Sequence, residues 1–370
     1  MLWIFAGLAS AQTFTIGPGL SYDTVEEAIA SSSVPDGATL VLPAGDLEVA
    51  IVMDGARRLV IQGAGSTLTT LHGTGGGAAV ALDGNADLTL TDVHVLGSEN
   101  DASIRTPPDA NVSLTIEDAI VDGGNIATGG GAVLISDGDL VLRRVTFDTP
   151  FVPAVPQAVY VKAVGSVVLM EDVEFSGAAS TEYAAVSLYE AVSTLRRVDF
   201  HDNTTEGVAA ALIITDGETT VEDSTFSGNT SATSAGAVRT ELNARVTFID
   251  TTFDGNTAAN LGGGMYASSS SVSLEGCTFT GNVAVAGAAV LSNATTLDVL
   301  ETSFSGNVAQ NQGAVALLAT SVGTFDHVDF EQNASDISVG ALHVETDSEA
   351  VVTSSRFIGN TAAFVSAVAV

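Results

Sequence analysis

Apolar and polar positions recur along this chain with a period of about 26 residues. The plainest copies place a Phe three residues before an Asn: Phe200 and Asn203, Phe226 and Asn229, Phe253 and Asn256, Phe279 and Asn282, Phe304 and Asn307, Phe330 and Asn333, Phe357 and Asn360. The steps from one Phe to the next are 26, 27, 26, 25, 26 and 27 residues. Phe175, Phe147, Val121 and Val95 continue the column backwards, giving eleven copies. A fixed period of this size marks a repeat architecture. Five residues before each copy stand Leu90, Ile116, Leu142, Met170, Leu195, Val221, Phe248, Leu274, Val299, Phe325 and Val352, all apolar. Two before stand small or β-branched residues such as Val93, Ala119, Val198, Thr251 and Cys277. Three and four before stand mostly charged residues, for example Glu117-Asp118 and Arg143-Arg144.

Alternation with period two means strand. The doubled polar pair means a bend between two short strands. A Gly/Ala-rich turn follows each Asn, and then another apolar run such as Ala237-Val238 or Ala341-Leu342-His343-Val344. Three short strands joined by tight turns in one repeat make one coil of a parallel β-helix. We therefore expect an all-β solenoid of eleven or more coils. Left-handed β-helices show a hexapeptide rhythm, which is absent, so the expected hand is right. Neighbouring coils lie about 4.8 Å apart, so each repeated position becomes a ladder. Phe stacks on Phe inside. Asn stacks on Asn at a turn, where its amide bonds the next coil and its tolerance of the left-handed conformation suits the bend.

Charges at the bend alternate from coil to coil: Glu117-Asp118, Arg143-Arg144, Glu171-Asp172, Arg196-Arg197, Glu222-Asp223. Stacked, they form an exposed ion-pair ladder. Each pair is worth roughly 0–1 kcal/mol, whereas like charges stacked there are unfavourable. Register control is the expected role.

The start of the chain differs. Residues 1–11 form a short apolar run ending Ala9-Ser10-Ala11, the pattern of a secretory signal peptide. Residues 12–60 are expected to form an N-terminal cap and first coils, and residues 61–370 the repeat coils of a single domain. Asp23-Thr24-Val25-Glu26 reads as a capping box opening a short helix with Val25, Ala28 and Ile29 on one face, ended by Pro35-Asp36-Gly37. Such a helix would plug the open end of the solenoid. Residues 39–42 and 49–52 and Leu59-Val60-Ile61 read as strands. Thr106-Pro107-Pro108-Asp109 and residues 150–156 read as inserted loops. The chain stops ten residues after Asn360, in mid-repeat, and is expected to be a fragment or to continue elsewhere.

Net charge is −33, from 44 acids and 11 bases. That surface repels nucleic acid and anionic membrane. No stretch of about 20 apolar residues is present to act as a transmembrane anchor. The single cysteine, Cys277, lies in an inward column, so it reads as an inert buried thiol.

Thr15-Ile16-Gly17-Pro18-Gly19, Tyr22-Asp23-Thr24-Val25, Val41-Leu42-Pro43 and Val60-Ile61-Gln62-Gly63 resemble the opening of secreted right-handed β-helix proteins of the pectate-lyase-like superfamily. The Phe-x-x-Asn repeats, with Gly262-Gly263-Gly264, Ala286-Gly287-Ala288-Ala289 and Val339-Gly340-Ala341-Leu342, resemble the middle domain of the polymorphic outer membrane protein family. That family ends in a translocating β-barrel, which has no counterpart here.

The resemblance implies several carbohydrate chemistries to look for. Lyases of the superfamily use clustered Asp for calcium beside an Arg base. Arg143, Arg144, Arg196 and Arg197 stand among Glu171 and Asp172, but their alternation reads as pairing. Hydrolases of the superfamily need close Asp residues and a Gly-His-Gly turn, and His72, His94, His201, His327 and His343 have no such context. Gln157-Ala158-Val159-Tyr160 mimics one esterase segment without its later Gln-Asp. Asp83, Asp87 and Asp92 read as exposed turn acids. The Asn-x-Ser/Thr triplets at Asn203, Asn229 and Asn293 reflect fold before glycosylation. We assign no catalytic, cofactor or metal residue; weakly bound calcium is the one cofactor the acidic surface suits. The expected function is a non-catalytic secreted or cell-surface scaffold, adhesin-like, contacting carbohydrate or a surface protein. A polysaccharide lyase or hydrolase is the rival, and a spacer in a larger surface protein the third alternative. An acid cluster with an adjacent base would favour the enzyme, and an exposed apolar or aromatic patch adhesion.

Overall fold

Each regular coil contributes strand segments to three parallel sheets. One coil runs through Glu218–Glu222, Thr225–Ser227, Thr230–Ser231 and Val238–Glu241, and the next repeats it with Arg245–Ile249, Thr252–Asp254, Thr257–Ala258 and Met265–Ser268. Every segment pairs in parallel with its counterpart one coil on. Among the described residues, the first two segments of each coil belong to a sheet of 25 strands, the fourth to one of 13 and the third to one of 8. The protein is thus a parallel β-solenoid of about thirteen turns. The computed structural model describes residues 12–96, 101–122, 131–148, 159–182 and 184–369. The apolar run at 1–11, the loop at 150–156 and Gln157-Ala158 lie outside them.

Register follows the periodicity without a slip. Val95, Val121, Phe147, Phe175 and Phe200 are successive partners, and the column continues to Phe357. Leu71 and Leu47 extend it by two further coils. From Phe147 to Phe357, nine rings lie face to face with centroids 4.3–5.1 Å apart. The column five residues earlier is buried from Leu90 to Phe325. Inward residues of the 13-stranded sheet, such as Val238, Met265, Val290, Val315 and Leu342, close the core from the other side. In the last described coil Val352 is 38 % exposed.

The structure corrects four expectations. From Ala179 on, a coil holds a fourth strand segment besides the three expected, because residues such as Ala179–Ser180 and Thr230–Ser231 form a short ladder of their own. The Asn residues do not adopt the left-handed conformation. The residue before each one does: Asp202, Gly228, Gly255, Gly281, Gly306, Gln332 and Gly359 have φ of 53–63°. This explains the recurring Gly there, which takes positive φ without steric cost. A second left-handed column lies at the bend and holds Asp118, Arg144, Asp172, Arg197, Asp223 and Asp250. The helix is Val25–Ala30, with Thr24 rather than Asp23 as its N-cap. Thr24 Oγ1 accepts from the Glu27 amide, and Glu27 accepts from the Asp23 amide. The helix ends at Ser31, ahead of Pro35. Its Val25 and Ala28 enter the core, and it lies against Ile51–Met53, the terminal strand of the 13-stranded sheet. The loop expected at 106–109 is present, with Pro107, Pro108 and Asp109 exposed.

Candidate functional site

Parallel stacking carries every outward column along the solenoid, so chemistry must be sought between coils. The Asn column is the most completely bonded. Asn203, Asn229, Asn256, Asn282, Asn307 and Asn333 are fully buried, and Asn360 is 9 % exposed. Each side-chain amide donates to the carbonyl of the Phe one coil back, at 2.8–3.0 Å. Up to Asn333 it also donates to the Oδ1 of the next Asn, at 2.9–3.0 Å. That Oδ1 accepts the backbone N–H of the preceding Asn as well. Burial and full bonding make these residues structural and leave Asn203 and Asn229 out of reach of glycosylation. Asn293 donates to the Tyr266 hydroxyl at 3.3 Å.

At the bend, the alternating charges meet as ion pairs. Arg143 bridges Glu117 at 2.8 Å and Glu171 at 3.2 Å. Arg144 holds Asp118, Arg197 holds Asp172, and Arg196 holds Glu222, at 2.6–2.7 Å. Hydrogen bonds from Arg144 and Arg197 hold the carboxyls of Asp118 and Asp172 below the usual range. The same pairing pushes Arg143, Arg144 and Arg197 up. Arg143→Glu would stack three carboxylates in one column. We expect it to destabilise the protein by roughly 1–2 kcal/mol at low salt and less in 0.5 M salt, and Arg143→Met to cost about 0.5 kcal/mol or less, measured by urea denaturation. Equal effects of both substitutions would rule out register control by the ladder.

Two residues beyond the bend, the structure assembles a group that sequence reasoning missed. His201 Nε2 lies 3.0 Å from Glu174 Oε1 of the preceding coil, and its Nδ1 lies 3.1 Å from Asp202 Oδ2. Asp199, on the same strand, is the register partner of Glu174. Burial pushes the Asp199 carboxyl up. Burial pulls His201 down, but the bonds to Glu174 and Asp202 outweigh it and raise the imidazole above its ordinary value. The repeat frame held the signal: the positions flanking Phe175 and Phe200 read Glu and Ser, then Asp and His, where later coils carry mostly Thr and Ser.

The other candidates stay apart. His94 lies 3.1 Å from Asp122 and His327 3.1 Å from Asp326, while burial lowers His343. Asp83 accepts from the adjacent Gly84 amide, and Asp92 from Gln62 on the coil before. Cys277 is buried, and burial pushes its thiol up to about 11.

A second apolar cluster lies outside the main core, on the outer face of the 13-stranded sheet. Ala184, Ala209, Ile213, Ala235, Tyr266 and Leu291 belong to it. The guanidinium of Arg239 sits 5.0 Å from the Tyr266 ring centre and bonds Glu241 at 2.6 Å. The sign of this second burial is an uninterrupted apolar strand, Leu212-Ile213-Ile214, as expected where both faces are covered. Two pairs of exposed apolar residues are neighbours on adjacent coils, Val167 with Val192 and Val283 with Val308.

A family model described as a right-handed β-helix region matches residues 155–304. No curated protein matches the chain in sequence. Similar solved structures include PfbA, a surface adhesin of Streptococcus pneumoniae, at 11 % identity and TM-score 0.48, covering 88 % of this chain and 83 % of that one. They also include the catalytic unit of an alpha-1,3-glucanase from Streptomyces thermodiastaticus strain HF3-3, at 14 % identity and TM-score 0.48, covering 97 % and 70 %. The A-module of the mannuronan C-5 epimerase AlgE4 from Azotobacter vinelandii is similar at 13 % identity and TM-score 0.42, covering 92 % and 93 %. Among the described residues no helix is long and apolar enough to cross a membrane. The fold is a right-handed β-solenoid.

Proposed function

We propose that this protein is a non-catalytic, secreted or cell-surface β-helix that serves as an adhesin-like or structural scaffold. One observation carries the proposal. Each of the four arginines available as a lyase-type base is tied to a carboxylate, on a neighbouring coil for all four, and Arg143, Arg144 and Arg197 are held more firmly protonated than usual. A general base needs the opposite shift. The Phe-x-x-Asn and Gly/Ala repeats support a bacterial surface or outer-membrane setting by their resemblance to the polymorphic outer membrane protein family. Carbohydrate or a surface protein would be the partner.

A polysaccharide lyase or hydrolase is the second reading, favoured by one observation: His201 lies among Glu174, Asp199 and Asp202 on an outward face. The test is incubation of the purified chain with a panel of polysaccharides, with and without calcium, followed by ultraviolet absorbance of unsaturated products and by reducing ends. We expect neither signal. Cleavage that is lost on changing His201 to Gln, or Arg143, Arg144, Arg196 and Arg197 to Ala, in a protein that still folds, would overturn the scaffold proposal.

A further inference from the structure

We propose that His201 is a proton-operated clasp fastening the coil of Phe200 to the coil of Phe175. The strands Glu174–Ser176 and Asp199–His201 pair in parallel, so Glu174 and Asp199 face outward on adjacent rungs about 4.8 Å apart. Like charges directly opposite one another destabilise a strand pair. The imidazole is the group placed to offset them.

Its two contacts decide its charge. A neutral imidazole has one N–H donor and one acceptor, whereas an ionised carboxylate only accepts. With Glu174 at one nitrogen and Asp202 at the other, a neutral ring satisfies one contact and turns a lone pair towards the other carboxylate. Only the imidazolium donates to both. The charged groups facing the ring are Glu174 on the preceding coil and Asp199 and Asp202 on its own. The register partners on the flanking coils are Ser176, Thr225 and Ser227, which are uncharged.

The solenoid contains its own control. In the last coils, Arg356 sits on the same kind of strand and bonds Asp329 at 2.7 Å and Glu331 at 3.2 Å on the coil before. Both cations bond a carboxylate of the preceding coil, but a guanidinium keeps its charge throughout the physiological range. The His201 rung loosens as pH rises and the Arg356 rung does not.

The sign follows from linkage. His201 is raised in the folded protein, so its contribution is complete below the unfolded value of 6.5 and is lost as pH rises through the higher folded value. Asp199 is raised too, which also favours the folded coil on the acid side.

The experiment is amide hydrogen exchange between pH 5.5 and 8.5, corrected for intrinsic rates, with His201 titrated by NMR in the full chain. We expect His201 to titrate above 6.5. Protection at residues 199–205 should fall across that titration, by up to about tenfold for each unit of the rise. His201→Gln should remove the step that tracks the His201 titration at these residues, leaving only the acid-side contribution of Asp199, and His201→Arg should keep the acid-side protection across the range. Residues 329–333 should not respond in any variant. A His201→Gln protein that keeps the wild-type profile, or a His201 that titrates at or below 6.5, would sink the proposal.

Discussion

Asn256→Ala is expected to destabilise the solenoid by about 3–5 kcal/mol. The Asn256 side chain is fully buried, donates to the Phe226 carbonyl at 2.9 Å and accepts the Asn229 backbone N–H at 3.1 Å. Truncation orphans the Asn229 N–H in a dry interior, at about 1–3 kcal/mol, leaves the Phe226 carbonyl with only its ladder bond, at about 1 kcal/mol, and opens a cavity besides. Asn282 loses one donor but keeps another, the backbone N–H of residue 256. Urea denaturation followed by circular dichroism gives the magnitude. Hydrogen exchange gives the location, which should centre on the coils of Phe226, Phe253 and Phe279, because a solenoid couples mainly nearest neighbours. Thr257→Ala, one residue on and partly exposed, should stay within about 0.5 kcal/mol. A loss below about 1 kcal/mol at Asn256 would mean that water replaces the amide and that the ladder is not a main source of cohesion.

Phe253→Ala is expected to cost about 3–5 kcal/mol, by a different mechanism. Its ring is stacked 4.9 Å from Phe226 and 4.3 Å from Phe279, and it meets Phe248 edge-on at 5.4 Å. Removing it opens a void between coils that parallel strand pairing holds at fixed spacing, so the walls cannot collapse inward. Phe253→Leu should cost less than Phe253→Ala, because most of the volume remains filled. Equal losses for both would show that ring stacking rather than volume matters. The same denaturation series separates the two outcomes.

The fold was legible because parallel in-register stacking turns sequence period into contact. A residue about 26 positions on lies directly above its counterpart, so aligning on Phe alone located the core columns, the Asn ladder and the charge alternation. Legibility failed where the period did. Ahead of residue 90 the strands Arg58–Gln62 and Thr69–Gly73 are separated by a six-residue excursion instead of a two-residue bend. Leu71 and Leu47 therefore dropped out of the frame although they occupy the Phe column. At the helix, Asp23 and Thr24 are both good N-caps and Glu26 and Glu27 both acceptable partners. Glu26 instead accepts from the Ala50 amide of a distant strand, and that contact selects the register. The place of the left-handed residue was misjudged because Asn tolerates that conformation, yet its amide is needed inside, and the preceding Gly takes the turn.

The sequence by itself determined the repeat, the three inward columns, the stacked Phe and Asn, and the pairing of Arg143, Arg144, Arg196 and Arg197 with acids. All of these depend only on period and on which residues face in. Only the tertiary structure decided the rest. The contacts of His201 with Glu174 and Asp202 depend on side-chain reach between coils. The second apolar cluster around Tyr266 depends on how the segments after the Asn ladder, such as Ala235 and Ala286, fold over the 13-stranded sheet. Period says which residues are neighbours on a ladder; it does not say where the chain between ladders lies, and that path decides which outward side chains are covered and which remain open to a partner.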